Sequence, residues 1–362
     1  MLRHAMIRYD RPSDLTAFEA ISAAQKLAFA PIAFQASVAL RRLGILDAVA
    51  AAKEDGAAAA EIATHLGLPV YGVRVLLDMG LSIGLVWQRA DRYVLDKVGH
   101  FVLNDTMTRV NLDFVADVCY ASMSALQESV EQCMPKGLAS FGNWSTLYEG
   151  LPHLPTPIRE SWLAFDHFYS SSAFPEALTH VFATKPRHLI DIGGNTGQWA
   201  IACVEHDASV EVTIVDLPDQ ARLTEERLRG SAHAARIHVS AVDLLDPNVE
   251  LPLGADVIWM SQFLDCFSEQ QATEILRVAA AAMNPNCSLF VLELLCDRQR
   301  YDAAAYSVNA TSLYFTCIAN GVSRMFRSED LLRIVRDAGL SVVAEHDLLG
   351  RGHTLLQCRK QR

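Results

Sequence analysis

Two stretches of the chain carry residue types whose spacing could do chemistry. The first is Asp191-Ile192-Gly193-Gly194-Asn195-Thr196-Gly197-Gln198-Trp199. Glycines let a backbone turn sharply at the end of a strand and let a ligand approach main-chain atoms just ahead of a helix. Asp216 follows, nineteen residues beyond Gly197, at the end of the next apolar run. A carboxylate there is placed to accept hydrogen bonds from both hydroxyls of a ribose. The dinucleotide fingerprint GxGxxG would need glycine at 193, 195 and 198 or at 194, 196 and 199, where the chain has Gly, Asn, Gln and Gly, Thr, Trp. A GxxxxGK[ST] phosphate loop is also missing. A nucleoside without phosphates therefore fits better than a pyrophosphate.

The second stretch runs from Ile258 to Glu269, IWMSQFLDCFSE, and passes from a buried strand into polar and reactive side chains. Asp265 could both orient and deprotonate a hydroxyl; Gln262 could only orient it. Cys266 has no cation near it in sequence to lower its pKa and reads as packing. Ser268, with Gln271 three residues on, reads as the capping box of the next helix. His153, His167 and His353 could approach from other elements, and His167 is the preferred one for positioning a substrate. The sequence marks no arginine clamp around this region that would single out an acidic substrate.

The elements that must position these groups alternate from residue 187 onward. RHLIDIG, a helix from Thr196, EVTIVDL, a helix from Pro218, ARIHVSAVD, ADVIWMSQF, a helix from Ser268 and CSLFVLELL predict an α/β fold, a doubly wound, mostly parallel sheet. After SEDLLRIVRDAGL, the runs LSVVAEHDLL and HTLLQC are joined only by Gly350-Arg351-Gly352, so the sheet ends in an antiparallel hairpin. Upstream, residues 37 to 99 predict three helices, the first over 37–52, and a hairpin turning at Arg89-Ala90-Asp91-Arg92, the pattern of a winged helix. Between them the chain is helical with one Gly-, Pro- and aromatic-rich loop. The helix IRESWLAFDHFYSSSAF places Trp162, Phe165, Asp166 and Tyr169 on one face and Ala164, His167 and Phe168 on the other. The expected divisions are 1–110, 111–185 and 186–362.

With 362 residues, 51% hydrophobic and 20% charged, the chain has the composition of a soluble globular protein of two domains. A net charge of −11 opposes a general nucleic-acid or acidic-membrane binder. Residues 1–110 carry twelve Lys and Arg against eleven Asp and Glu, so the winged helix reads as a dimerisation module rather than a DNA reader. MLRHAMIRYDRPSD lacks the middle and cleavage site of a signal peptide, and Leu27 to Leu40 is too short to span a bilayer, so a cytoplasmic location is expected. The two closest of the eight cysteines are nine residues apart, and no CxxC metal or redox pair exists; no metal is expected.

The winged-helix front half, the DIGGNTG loop, Asp216-Leu217-Pro218 and the terminal hairpin together resemble the plant and bacterial S-adenosylmethionine-dependent small-molecule O-methyltransferases. The resemblance runs from about Ile21 to Lys360. It implies a Rossmann-like sheet, a homodimer formed through the N-terminal domain, and S-adenosylmethionine as cofactor. It places Asp191, Gly193, Gly194 and Gly197 at the methionine end, with Asn195 where the family more often has glycine. It sets Asp216 and Leu217 at the ribose, Asp243 near the adenine amino group and Leu244 on its ring. Against the family's Leu-His-Asp-Trp motif stand Phe263, Leu264, Asp265 and Cys266, so Leu264 occupies the place of the base histidine. A second family carboxylate falls on Ser323. The expected function is methyl transfer to a small, aromatic, hydroxylated metabolite, at oxygen before ring carbon, with Asp265, Gln262 and His167 as catalytic candidates. A cofactor-binding regulator without turnover is the other alternative. Trp162, Phe165, Tyr169, Asn309 and Tyr314 are the expected pocket walls, with Tyr306, Ser312 and Phe315 as further ones.

Overall fold

Gly44, with φ near +76°, divides the first long helical run into two helices, Ala30–Arg42 and Ile45–Ala51, where the sequence predicts one continuous helix. That left-handed conformation suits glycine and turns the chain between them. The computed structural model describes residues 12–361 and divides into two compact units, one ending at Val118 and the other beginning at Cys119. The first eleven residues, on which most of the signal-peptide reading rests, lie outside the described residues.

In the first unit, helices Ala59–Leu66 and Val70–Ser82 lead into the hairpin Val86–Arg89 and Arg92–Leu95, with the short strand Ala57–Ala58 pairing on Arg92 and Tyr93. Leu40, Ile45, Leu46, Ile62 and Leu77 fill its core. Helix Ala17–Ala28, started by a capping box of Thr16 and Glu19, buries none of its residues.

The second unit is built on a seven-stranded sheet. Its strands are β1 (His188–Ile192), β2 (Glu211–Asp216), β3 (Ile237–Ala241), β4 (Val257–Ser261), β5 (Ser288–Leu294), β6 (Leu340–Leu349) and β7 (His353–Lys360). They lie in the order β3-β2-β1-β4-β5-β7-β6, parallel from β1 to β5, with β7 antiparallel to both neighbours. The helices are α1 (Thr156–Phe182), α2 (Gln198–His206), α3 (Pro218–Leu228), α4 (Glu269–Ala282), α5 (Asp302–Tyr314) and α6 (Ser328–Asp337). β1, β4 and β5 read as largely apolar runs because both of their faces are covered, with Asp191 and Glu293 as the charged exceptions. Ile190, Ile258 and Leu289 face a core shared with α4 and α6. Leu189, Trp259 and Phe290 face the other, where α1 contributes Ala173 and Ala177 and the Trp199 ring stacks on Trp259 at 3.9 Å.

This arrangement brings the C-terminal ends of β1, β2 and β4 together beneath α1. Among the described residues, no helix is long and apolar enough to cross a membrane.

Candidate active site

The loop after β1 is strained where its residues require it: Gly193, Asn195 and Gly197 have φ of +70°, +47° and +78°. Gly197 is the N-cap of α2, which starts at Gln198 rather than at Thr196 as the sequence suggests. At Gly193 the close approach comes from within the protein. A Cβ there would lie 2.3 Å from the ring of Phe263, so the glycine makes room for the loop after β4. Asn195 is the hub. Its backbone N–H donates to Asp216 Oδ2 at 2.9 Å, its carbonyl accepts from the Thr224 hydroxyl, and its side-chain amide donates to Asp166 Oδ2 at 3.2 Å and accepts from Gln220 at 3.0 Å. The residue that departs from the family's glycine thus ties the loop to both α1 and α3.

Asp216, at the end of β2, also accepts the Leu217 N–H at 2.8 Å. Asp191 is buried and its Oδ2 has no hydrogen-bond partner among the described residues. Burial, with the charge of Asp216 adding to it, pushes Asp191 up to about 8; burial pushes Asp216 and Asp166 each up to about 6. None of these carboxyls has a cationic side chain as partner among the described residues. An orphaned acceptor and three carboxyls without cations, one buried and two half-buried, suit a ligand that brings its own positive charge. Asp243, past the end of β3, is exposed and accepts the N–H of Leu245 at 2.9 Å, whereas Leu244 is buried in the core beside Ile190 and Met260.

The loop after β4 holds the most tightly packed polar groups. Leu264 is fully buried. Gln262, with φ of +47°, takes a hydrogen bond from His353 Nε2 at 2.7 Å, so its side chain is engaged with β7. Burial drives His353 down to about 4, and it remains neutral. Asp265 is 2% exposed and lies against Glu293 of β5, which is 1% exposed. Glu293 Oε1 accepts the N–H groups of Phe263 and Leu264 at 3.1 and 2.9 Å. Its Oε2 has no hydrogen-bond partner among the described residues. Burial pushes both up, Asp265 to about 7; the charge of Asp265 adds to the shift of Glu293, whereas hydrogen bonding from Glu293 draws Asp265 back down. The Cys266 thiol touches Asp265 at 3.5 Å, and the buried Tyr148 hydroxyl sits beside that thiol. Ser323, at the place of the family's second carboxylate, accepts from Asn320, which also donates to the Cys266 carbonyl.

Glu293 and Tyr148 are absent from the sequence-based candidates. A glutamate inside the apolar run SLFVLELL was a readable signal, since a central strand buries no charge without a purpose. Tyr148 had only its aromatic-rich loop to mark it.

Helix α1 supplies the walls. Trp162 Nε1 donates to the Tyr314 hydroxyl at 2.7 Å, and the Phe165 and Tyr169 rings meet at 5.0 Å. His167, expected on the opposite face from Asp166, instead shares the glycine loop with it, contacting the Thr196 hydroxyl at 2.9 Å. Burial and the charge of Arg227 lower its pKa. His153 stacks on Trp144. Tyr314 and Phe315 are buried at the end of α5, where the helix widens by one turn over Phe315–Ala319, while Asn309 and Tyr306 lie on its exposed side.

The chain matches two families, the Dimerisation2-like domain over residues 22–93 and the O-methyltransferase domain over residues 170–341. The 3-hydroxy-5-methyl-1-naphthoate 3-O-methyltransferase of Streptomyces sahachiroi is 26% identical over 304 residues, 83% of this chain and 84% of that protein. The L-tyrosine C(3)-methyltransferase of Streptomyces lavendulae is 24% identical over 227 residues, 62% of this chain and 61% of that protein. The fold is that of the S-adenosylmethionine-dependent methyltransferase SibL, with a TM-score of 0.73 at 22% identity, covering 94% of this chain and 100% of that one.

Proposed function

We propose that this S-adenosylmethionine-dependent methyltransferase, whose residues 170–341 match the O-methyltransferase domain, methylates a small phenolic metabolite without an imidazole base, using the buried Asp265–Glu293 pair to take the phenol's proton. One observation carries this reading: the fully buried Leu264 fills the position of the base, and the neighbouring residue Asp265 is a buried carboxyl that lies against the buried Glu293.

When bound, the cofactor supplies an activated methyl group on a sulfonium. Asp191 and the Gly193–Gly197 loop would hold its amino-acid end, Asp216 and Leu217 its ribose, and Asp243 and Leu244 its adenine. Trp162, Phe165, Tyr169, Tyr148 and Tyr314 flank the acceptor ring, an arrangement that favours a flat aromatic molecule. His167, fixed on Thr196, positions α1 against the loop, and Gln262, held by His353, sets the start of the catalytic turn. Alignment of the reacting atoms accounts for the larger part of such a rate enhancement, about 7 to 11 kcal/mol, whereas a general base adds about 10² to 10⁴-fold. A carboxyl pair in place of imidazole is therefore compatible with turnover. The first unit pairs two such chains in a homodimer.

A second reading, methylation at a ring carbon ortho or para to the phenol, is favoured by Leu264 specifically. An electron-rich ring carbon depends on positioning more than on a base at the oxygen, and one relative is named for methylation at C(3) of L-tyrosine. The test is a panel of phenols incubated with methyl-labelled S-adenosylmethionine and read by NMR. A methoxy carbon supports the first reading and an aryl methyl the second. Cofactor binding without turnover of any phenol would overturn both.

A further inference from the structure

Arg159 and Arg227 stand on different helices, α1 and α3, and nevertheless line one cleft of about 300 Å³. Arg159 and Leu163 are one turn apart on α1; Gln220, Leu223, Thr224 and Arg227 are spaced to share one face of α3. Between the two stripes lie Asn195 and Thr196 of the glycine loop. Arg159 donates from Nη1 to the Pro152 carbonyl at 3.2 Å, which leaves most of its five donors for other partners. Neither guanidinium forms an ion pair among the described residues. The chain carries a net charge of −11, so this positive cleft is a local construction and not part of a general positive field. Two guanidiniums lining one cleft with a hydroxyl and an amide are suited to a planar or tetrahedral oxyanion.

We propose that this cleft binds a small oxyanion, a carboxylate or a phosphate, between Arg159 and Arg227. This site does not rest on the methyl-transfer reading above. Asn195 lines the cleft and its amide also reaches Asp166, so one side chain stands between the bound anion and the buried carboxyls. That separation keeps the anion away from groups that would repel it. The sequence marks no arginine clamp because its two halves belong to separate helices.

Calorimetric titration of the full-length protein with benzoate and with inorganic phosphate tests the site and tells the two sources apart. At least one of these anions should bind the wild type, with affinity falling tenfold or more in Arg159→Gln and in Arg227→Gln. Arg227 is exposed, so its variant keeps the fold even if that of Arg159 does not. Absence of binding by either anion, or equal affinity in wild type and variants, overturns the proposal. S-adenosylmethionine affinity, measured on the same proteins, should change less than twofold. A loss as large as that for the anion would give the arginines to the cofactor's carboxylate and overturn a separate anion site. These are binding measurements, so failure of turnover on every phenol would remove the methyl-transfer reading and leave the anion site standing.

Discussion

At the residue scale, the decisive groups are carboxyls that the fold buries without cations. Asp216 accepts two backbone N–H groups, which fixes its orientation at the end of β2. Asp216→Ala should weaken S-adenosylmethionine binding by about 1.5 to 3 kcal/mol, the range for a hydrogen bond to a charged group, and unchanged calorimetric affinity would remove Asp216 from the site. Asp265 and Glu293 make a paired prediction. Asp265→Asn should lower kcat by about 10² to 10⁴-fold while cofactor affinity holds. If kcat and affinity fall together, Asp265 only fixes the loop. Glu293→Gln leaves an oxygen for the N–H groups of Phe263 and Leu264 and offers Asp265 an N–H donor, which favours ionised Asp265. The acid limb of the rate profile should then move to lower pH. The loop motif and Asp216 were legible because type and spacing sufficed to read them. Glu293 was passed over because its strand was read for periodicity, although its charge was the anomaly.

At the element scale, alternation made the sheet and its hairpin legible, whereas boundaries depended on packing that sequence does not show. Helix α1 extends through Pro175 to Phe182, past the segment IRESWLAFDHFYSSSAF and within the region expected to be helical, because Ala173, Ala177 and Val181 are buried against the sheet and outweigh the lost backbone hydrogen bond. In the first unit, Gly44 divides a run that periodicity alone would continue. The two arginines of the cleft had no signal at all, since only the packing of α1 and α3 brings them together. The contact between the loops after β1 and β4 gives a test at this scale. Gly193→Ala would place a methyl 2.3 Å from the Phe263 ring at a positive φ, and should cost about 1 to 3 kcal/mol of stability. Gly193→Ala combined with Phe263→Ala should recover part of that loss in thermal melts. No recovery would mean that the strain is in the backbone alone.

At the scale of the whole molecule, two properties follow from what the folded chain leaves unpaired. Helix Ala17–Ala28 buries nothing, and Phe18, Leu27 and Ile32 are 87%, 75% and 61% exposed in a unit that matches a dimerisation domain. Since soluble monomers rarely display large apolar patches, solution scattering should report a dimer, which Leu27→Asp weakens; a monomer at micromolar concentration would contradict this. The second property is a dependence on pH. Asp191, Asp166 and Asp216 have folded pKa values of about 8, 6 and 6, above those of an unfolded chain, so each favours the folded state most when protonated. Their contribution is complete below about pH 4 and declines as pH rises, being lost by about pH 6 for Asp166 and Asp216 and by about pH 8 for Asp191, so the ligand-free protein should melt at progressively lower temperature from pH 4 to pH 8. A cationic ligand reverses the preference by stabilising the ionised carboxyls. S-adenosylmethionine should therefore bind with release of protons, and its affinity should rise with pH by at most about tenfold per unit for each group that ionises. Melting temperatures with and without the cofactor at pH 6 and pH 8 should diverge. S-adenosylhomocysteine, which lacks the sulfonium charge, should produce a smaller divergence, and equal behaviour of the two would show that the sulfonium is not what these carboxyls await.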